Sequence, residues 1–141
     1  MLLTLDVENT VTKRNGKMHL DPFEPTNTLV MVGMLDDYGN EDIVTFDHSE
    51  QQPTTDGRRI VQDKLDAAHL LIAHNAPHDL LWLWESGFEY DGEVFDTLLG
   101  EYVLQRGQKQ PLSLEACAER YELDTKKQDT LKEYFKDGYS T

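Results

Sequence analysis

From residue 57 onwards, helical and strand patterns alternate along the chain. A helix is predicted over roughly 57–68, an apolar strand over 69–73 (HLLIA), and a second helix over 76–86, where a proline suits the first turn. The short segment EVFD (93–96) and the helical pattern DTLLGEYVLQ then repeat this order. Strands that alternate with helices usually pair in parallel, so this part of the chain predicts an α/β fold. Two further helices are predicted, over 111–121 and 126–136.

Three more strands are predicted before residue 50. Residues 2–8 alternate apolar and polar side chains, and residues 28–35 (TLVMVGML) are mostly apolar. Residues 43–46 (IVTF) follow a turn that predicts an antiparallel hairpin. Residues 9–27 are rich in turn-forming residues and are predicted to be a long loop. The predicted fold is therefore a mixed sheet of about five strands, one of them antiparallel, flanked by helices.

The length and the cysteine content limit the kind of protein. A chain of 141 residues is long enough for one compact domain with a core and too short for two. The single cysteine, Cys117, excludes an internal disulfide, and no apolar run is long enough to span a membrane. We therefore expect one domain over residues 1–141, in the cytoplasm.

Two carboxylates end the first strand, and a third follows the strand at 69–73. Asp6 and Glu8 are two residues apart, so they project from the same face, and Asp79 lies in the first turn of the next helix. Parallel pairing of the two strands would bring the three acids to the edge where α/β sheets bind ligands. Such a group suits Mg²⁺ or Mn²⁺, because ionised carboxylates repel one another unless cations neutralise them. A pair of such ions can catalyse phosphodiester hydrolysis.

Several of these polar residues also have structural explanations. Asp79 is favoured by the helix dipole, Asn75 is well placed as the N-cap of the same helix, and Asp96 is expected to be an N-cap of the next. His74 and His78 are four residues apart, but a proline and a strand-to-helix turn separate them. That break in the helical register argues against a zinc pair.

The motifs, taken in order, resemble the 3′–5′ exonuclease domain of phage-type family A DNA polymerases, in the DEDD (ribonuclease H-like) superfamily. LDVEN (5–9) resembles the first exonuclease motif, and HNAPHDLLWL (74–83) resembles the second. The segment VFDTLLGEYVLQRGQKQPLSLEACAERYEL (94–123) resembles the helical stretch that follows in these enzymes. The resemblance covers nearly the whole chain and implies a ribonuclease H-like sheet.

The resemblance also implies an activity. Asp6, Glu8 and Asp79 would be the catalytic residues and would bind two Mg²⁺ or Mn²⁺ ions. Four polar residues would contact the terminal nucleotide: Asn9, Thr10, His74 and Asn75. The implied substrate is the 3′ end of single-stranded DNA, the implied partner is a polymerase domain on the same or a partner chain, and no membrane partner is expected. The implied role is proofreading in DNA replication.

The third motif of these enzymes is missing from its expected place. That motif is a helix with Tyr-x-x-x-Asp or His-x-x-x-Asp, and the one match, Tyr38 to Asp42, lies in the predicted hairpin turn. We therefore expect a domain cut before its last helix, or one piece of a split enzyme. Two alternatives stay open: a stand-alone exonuclease that trims RNA, and a catalytically inactive module that keeps the fold for protein contacts.

The net charge of −14 bears on the predicted substrate. Nucleic-acid binders are usually basic, because neutralising phosphates supplies most of their non-specific affinity. Divalent cations between the acids and the phosphates would offset this repulsion locally. We therefore expect weak, metal-dependent binding of oligonucleotides by residues 1–141 alone.

Overall fold

The computed structural model describes residues 1–123 of the chain. The helix predicted over 126–136 therefore lies outside the described residues. In chain order the elements are β1 Leu2–Asn9, β2 Thr12–Arg14, β3 Lys17–His19, β4 Leu29–Asp36, β5 Glu41–Thr45, α1 Gly57–Ala67, β6 Leu70–Ala73, α2 Ala76–Glu85, β7 Glu93–Asp96, α3 Thr97–Gln105 and α4 Leu114–Arg120.

Five strands form one mixed sheet in the order β5-β4-β1-β6-β7. Strand β4 runs antiparallel to both β1 and β5, whereas β1, β6 and β7 pair in parallel. The predicted mixed sheet with one antiparallel strand is thus confirmed, as is the parallel pairing of β1 with β6. This pairing joins Leu2–Thr4 to Leu70–Ile72, so β1 continues well past the end of β6.

The prediction of a loop over residues 9–27 was wrong in part. Strands β2 and β3 form a short separate hairpin within that segment. Asn15 and Gly16 make its turn with φ angles of 51° and 78°. Asn-Gly is a strong local signal for a two-residue hairpin turn, because both residues tolerate positive φ. The signal was present in the sequence but stood among many other turn-forming residues.

The two faces of the main sheet differ in burial. On one face, β1 buries Leu3, Leu5 and Val7 in a core that includes residues of α1 and α2. The contributing helical side chains are Val61, Leu65, Trp82 and Leu83. The opposite face of β1 carries Asp6 and Glu8, and Asp6 is exposed there. The predicted period-2 alternation of β1 therefore places both acids on the open side of the sheet.

Within residues 1–123, none of the helices is both long enough and apolar enough to cross a membrane.

Candidate active site

The predicted acids can be located at the carboxyl end of β1. Asp6 and Glu8 lie in the last half of this strand, just before a register irregularity between Glu8 and Asn9. Asp79 lies in the first turn of α2, and its carboxylate accepts a hydrogen bond from the backbone N–H of Val7. This contact places Asp79 beside the part of β1 that extends beyond β6.

Asp79 is buried in an unfavourable electrostatic environment. Its residue is 3% exposed, and its Oδ2 atom has no hydrogen-bond partner in the described structure. Burial, followed by the negative charge of Asp6 and smaller effects of Glu8 and Asp96, raises the pKa of Asp79 to about 8. An unpaired carboxylate is costly to bury, so this oxygen has a strong preference for a proton or a cation.

The N-terminus of α2 is held by a residue from another strand. Asn75 occupies the predicted N-cap position with a left-handed backbone (φ 67°), but its side chain makes no capping hydrogen bond. The carboxylate of Asp96 instead accepts from the N–H groups of Asn75 (2.9 Å) and Ala76 (3.1 Å). It also accepts from the N–H of Leu98 (2.9 Å), which confirms Asp96 as the N-cap of α3. Asp96 can cap both helices because β6 and β7 end side by side, with Ala73 paired to Asp96.

Replacing Asp96 with alanine should destabilise the protein by roughly 3 kcal/mol, since three backbone N–H groups at two helix ends lose a charged acceptor. Urea unfolding of the 141-residue chain measures this change. Asp91→Ala is the matched control, because Asp91 is exposed in the loop before β7. Equal losses in the two variants would contradict the double-cap role.

Three of the four residues predicted to contact the nucleotide use their side chains for hydrogen bonds within the protein. His74 binds Thr97 Oγ1 through Nδ1 (2.9 Å) and the Leu112 carbonyl through Nε2 (2.7 Å). Because a carbonyl only accepts, Nε2 carries a proton. His74 thereby ties the segment before α4 to the end of β6. Asn75 differs from the other three, because its residue is exposed.

Asn9 and Thr10 hold the segment that follows β1. Asn9 Nδ2 donates to the carbonyls of Thr10 (2.7 Å) and Leu20 (3.1 Å), and Thr10 Oγ1 accepts from the N–H of Thr28 (2.7 Å). His78 Nε2 lies 3.0 Å from Asn9 Oδ1 and donates to it. The contacts of Asn9, Thr10, His74 and Asn75 with a nucleotide stay predictions.

His78 was missed as a member of this region. In the sequence pattern, His78 stands out only as a possible zinc ligand with His74, four residues before it. In the fold it links α2 to the end of β1, and burial lowers its pKa although Asp6 acts in the opposite direction. Its position one residue before Asp79 was the available signal.

The only sequence match to the third motif is not helical. Tyr38 lies in the turn between β4 and β5, and Asp42 lies within β5. The Asp42 carboxylate is 3.5 Å from Lys64 Nζ. This segment is therefore the hairpin that the sequence predicted, with Asp42 in an ion pair.

The carboxylates at the end of β1 fit a divalent cation in their chemistry but not in their present arrangement. Across the described residues, no three or more His, Cys, Asp or Glu side chains are arranged so that they could hold a metal ion as they stand. The chemistry of the donors nevertheless suits Mg²⁺ or Mn²⁺, which prefer carboxylate oxygens. Asp79 supplies a buried oxygen without a partner, and the charges of Asp6 and Glu8 act on it.

Comparisons with known proteins show the fold. No protein-family model matches the chain, and no curated protein matches it. Among solved structures, a nuclease in its apo form shares 20% identity over 89% of this chain and 54% of its own, with a TM-score of 0.59. Brucella melitensis NrnC with bound Mg²⁺ shares 19% identity over 89% of this chain and 56% of its own, with a TM-score of 0.60.

A polymerase has the same fold as one part of a longer chain. The family B DNA polymerase from the archaeon Pyrobaculum calidifontis shares 12% identity over 88% of this chain and 18% of its own, with a TM-score of 0.57. The chain thus spans about half the length of the two nucleases. It has an α/β fold consistent with ribonuclease H-like nucleases, as predicted.

Proposed function

We propose that this chain is a metal-dependent exonuclease domain that hydrolyses the terminal phosphodiester at the 3′ end of a single strand. One observation carries the proposal: in a nuclease-like fold, the buried Asp79 has a carboxylate oxygen without a partner, at the carboxyl end of β1. Two further carboxylates, Asp6 and Glu8, act electrostatically on this same group. A buried carboxylate near two other acids costs free energy unless a cation neutralises the charges.

Asp6, Glu8 and Asp79 are the residues proposed to hold the metal. When bound, divalent ions lower the pKa of an attacking water and stabilise the departing 3′ oxygen. The chain itself supplies acids held in place. The Val7 N–H orients the Asp79 carboxylate, and Asp96 holds the helix end that carries it. Asn75, exposed at that helix end, is proposed to contact the terminal nucleotide.

The proposed metal is Mg²⁺ or Mn²⁺, in a pair. The presence of Mg²⁺ in the NrnC structure supports the choice of ion, and the number of ions rests on the chemistry of phosphodiester cleavage. The sequence resemblance favours single-stranded DNA as the substrate and proofreading for a family A polymerase as the role. The occurrence of this fold within a family B polymerase supports such a setting. RNA trimming is the alternative, distinguished by comparing DNA and RNA strands of one sequence.

A second candidate is a catalytically inactive module that uses the fold for protein contacts. The observation that favours it is the lack, in residues 1–123, of side chains already arranged to hold a metal ion. The two candidates differ in whether a divalent cation binds at the acids.

Mn²⁺ or Mg²⁺ should raise the melting temperature of the 141-residue chain, by several degrees at saturation, because the ion binds only the folded state. Asp6→Ala/Glu8→Ala should abolish this rise. Asp91→Ala/Glu93→Ala is the matched control, because these exposed acids have the same spacing. A rise that persists in the first variant would place the ions elsewhere, and no rise in the unaltered chain would support the inactive module.

A further inference from the structure

Helix α3 exposes apolar side chains and buries polar ones. Leu99, Tyr102 and Val103 are 58%, 62% and 66% exposed, whereas Glu101 and Gln105 are buried. The three apolar residues have the spacing that places side chains on one face of a helix. A surface helix normally shows the reverse pattern, so α3 carries an apolar face of the kind that packs against another element.

Hydrogen bonds to residues between the end of α3 and the end of α4 explain why the polar side of α3 is buried. Glu101 Oε1 accepts from Arg120 Nε (3.2 Å) and Nη2 (3.0 Å), and Glu101 Oε2 accepts from the Tyr121 hydroxyl (2.8 Å). Gln105 makes two hydrogen bonds with the backbone of Gln110. The end of α4 and the loop before it therefore cover the polar side of α3 and leave its apolar face exposed.

The open face borders an apolar groove of about 760 Å³. Phe95 of β7 and Leu99 of α3 lie in it, together with Val103, Leu104 and Tyr121. None of the described residues that line the groove is a lysine or an arginine. Nucleic acid is therefore a poor occupant, because phosphates need cationic partners.

We propose that the protein's own segment 126–136 (KKQDTLKEYFK) docks in this groove as an amphipathic helix. The segment lies outside the described residues and begins shortly after Leu123, which is 64% exposed and follows the groove residue Tyr121. Its apolar residues, Leu131, Tyr134 and Phe135, have the same i, i+3, i+4 spacing as those of α3.

Length and stability also favour this occupant. A helix over the segment would be about 16 Å long, close to the roughly 13 Å of α3. A helix this short is marginal in water unless an apolar face is packed, and α3 offers such a face. This docking is independent of whether the chain is a nuclease.

Thiol labelling of the full 141-residue chain tests the docking. Val103→Cys should react with a maleimide at least 10-fold more slowly than Tyr38→Cys, whose position is 78% exposed in the β4–β5 turn. Adding Leu131→Asp/Phe135→Asp should restore fast labelling of Val103→Cys. The matched control is Lys132→Asp/Lys136→Asp, which places acids off the apolar side and should leave labelling slow.

Each other outcome overturns the proposal. Fast labelling of Val103→Cys in the unaltered segment means that the groove is open, and slow labelling that depends on protein concentration means that a second copy covers it. Slow labelling that persists in the Leu131→Asp/Phe135→Asp variant means that another element covers the groove. Labelling of the native Cys117, read from its own peptide, reports whether the fold is intact. If the aspartates unfold the chain, Leu131→Ala/Phe135→Ala replaces them and the same acceleration is required.

Discussion

In metal-free buffer, the free energy of unfolding should fall as the pH rises from about 4 to about 8, and Asp79→Asn should remove most of this fall. The pKa of Asp79 is raised from 3.8 to about 8, chiefly by burial and then by the charge of Asp6. Between these values the folded state keeps a proton that the unfolded state has lost, so stability decreases with pH and levels off above pH 8. The pKa shift sets an upper limit of about 6 kcal/mol on the fall in the free energy of unfolding. We expect a fall of about half this limit, because the charged carboxylate can relax towards solvent.

Urea unfolding at a series of pH values measures this effect, with Asp91→Asn as the control for removing an exposed acid. Asp79→Asn keeps the shape of the side chain and should be more stable than the unaltered chain at pH 8, while matching it near pH 4. Saturating Mg²⁺ should reverse the trend for the unaltered chain, since the metal and the proton compete for the same carboxylate. An unchanged pH dependence in Asp79→Asn would refute the charge state assigned to this residue.

The second expected result concerns hydrolysis. The 141-residue chain alone should cleave single strands very slowly or not at all, because the third motif is missing. A chain extended by a helix with Tyr-x-x-x-Asp should release nucleotides from the 3′ end in the presence of Mg²⁺ or Mn²⁺. Asp6→Ala or Asp79→Ala in that chain should lower the rate by on the order of 1000-fold, which is about 4 kcal/mol in the barrier.

Strands labelled at the 5′ end report this reaction as a ladder of shortened products, and Asp91→Ala should cleave at the unaltered rate. Cleavage that survives both Asp6→Ala and Asp79→Ala would show that the acids are not the catalytic residues. Tight nucleic-acid binding without metal would contradict the proposal as well, because a chain with a net charge of −14 has few cations for it.

Much of the sheet and one part of the site followed from local patterns. The alternation in residues 2–8 predicted that Asp6 and Glu8 share a face, and β1 has that alternation of burial. The proline at 77 predicted where α2 begins. The hairpin β2–β3 had a local signal too, in Asn15 and Gly16, but it was lost among neighbouring turn residues.

Other features depended on residues that are far apart in the chain. Asn75 was expected to cap α2 with its own side chain, but the cap is Asp96, 21 residues further on. That contact exists only because β6 and β7 end at the same edge of the sheet. The exposed apolar face of α3 likewise follows from the pairing of Glu101 with Arg120 on α4, which the helical pattern alone did not predict.

The sequence by itself determined the chain order of the five main-sheet strands and the helices between them, the mixed sheet, and the face of β1 that carries the acids, because periodicity and turn chemistry act over a few neighbouring residues. Only the tertiary structure decided the charge state of Asp79. Desolvation and Coulomb repulsion depend on distances in space, and β1 and α2 are about seventy residues apart in the chain. The same acid on an exposed helix would ionise as usual and would gain little from a cation.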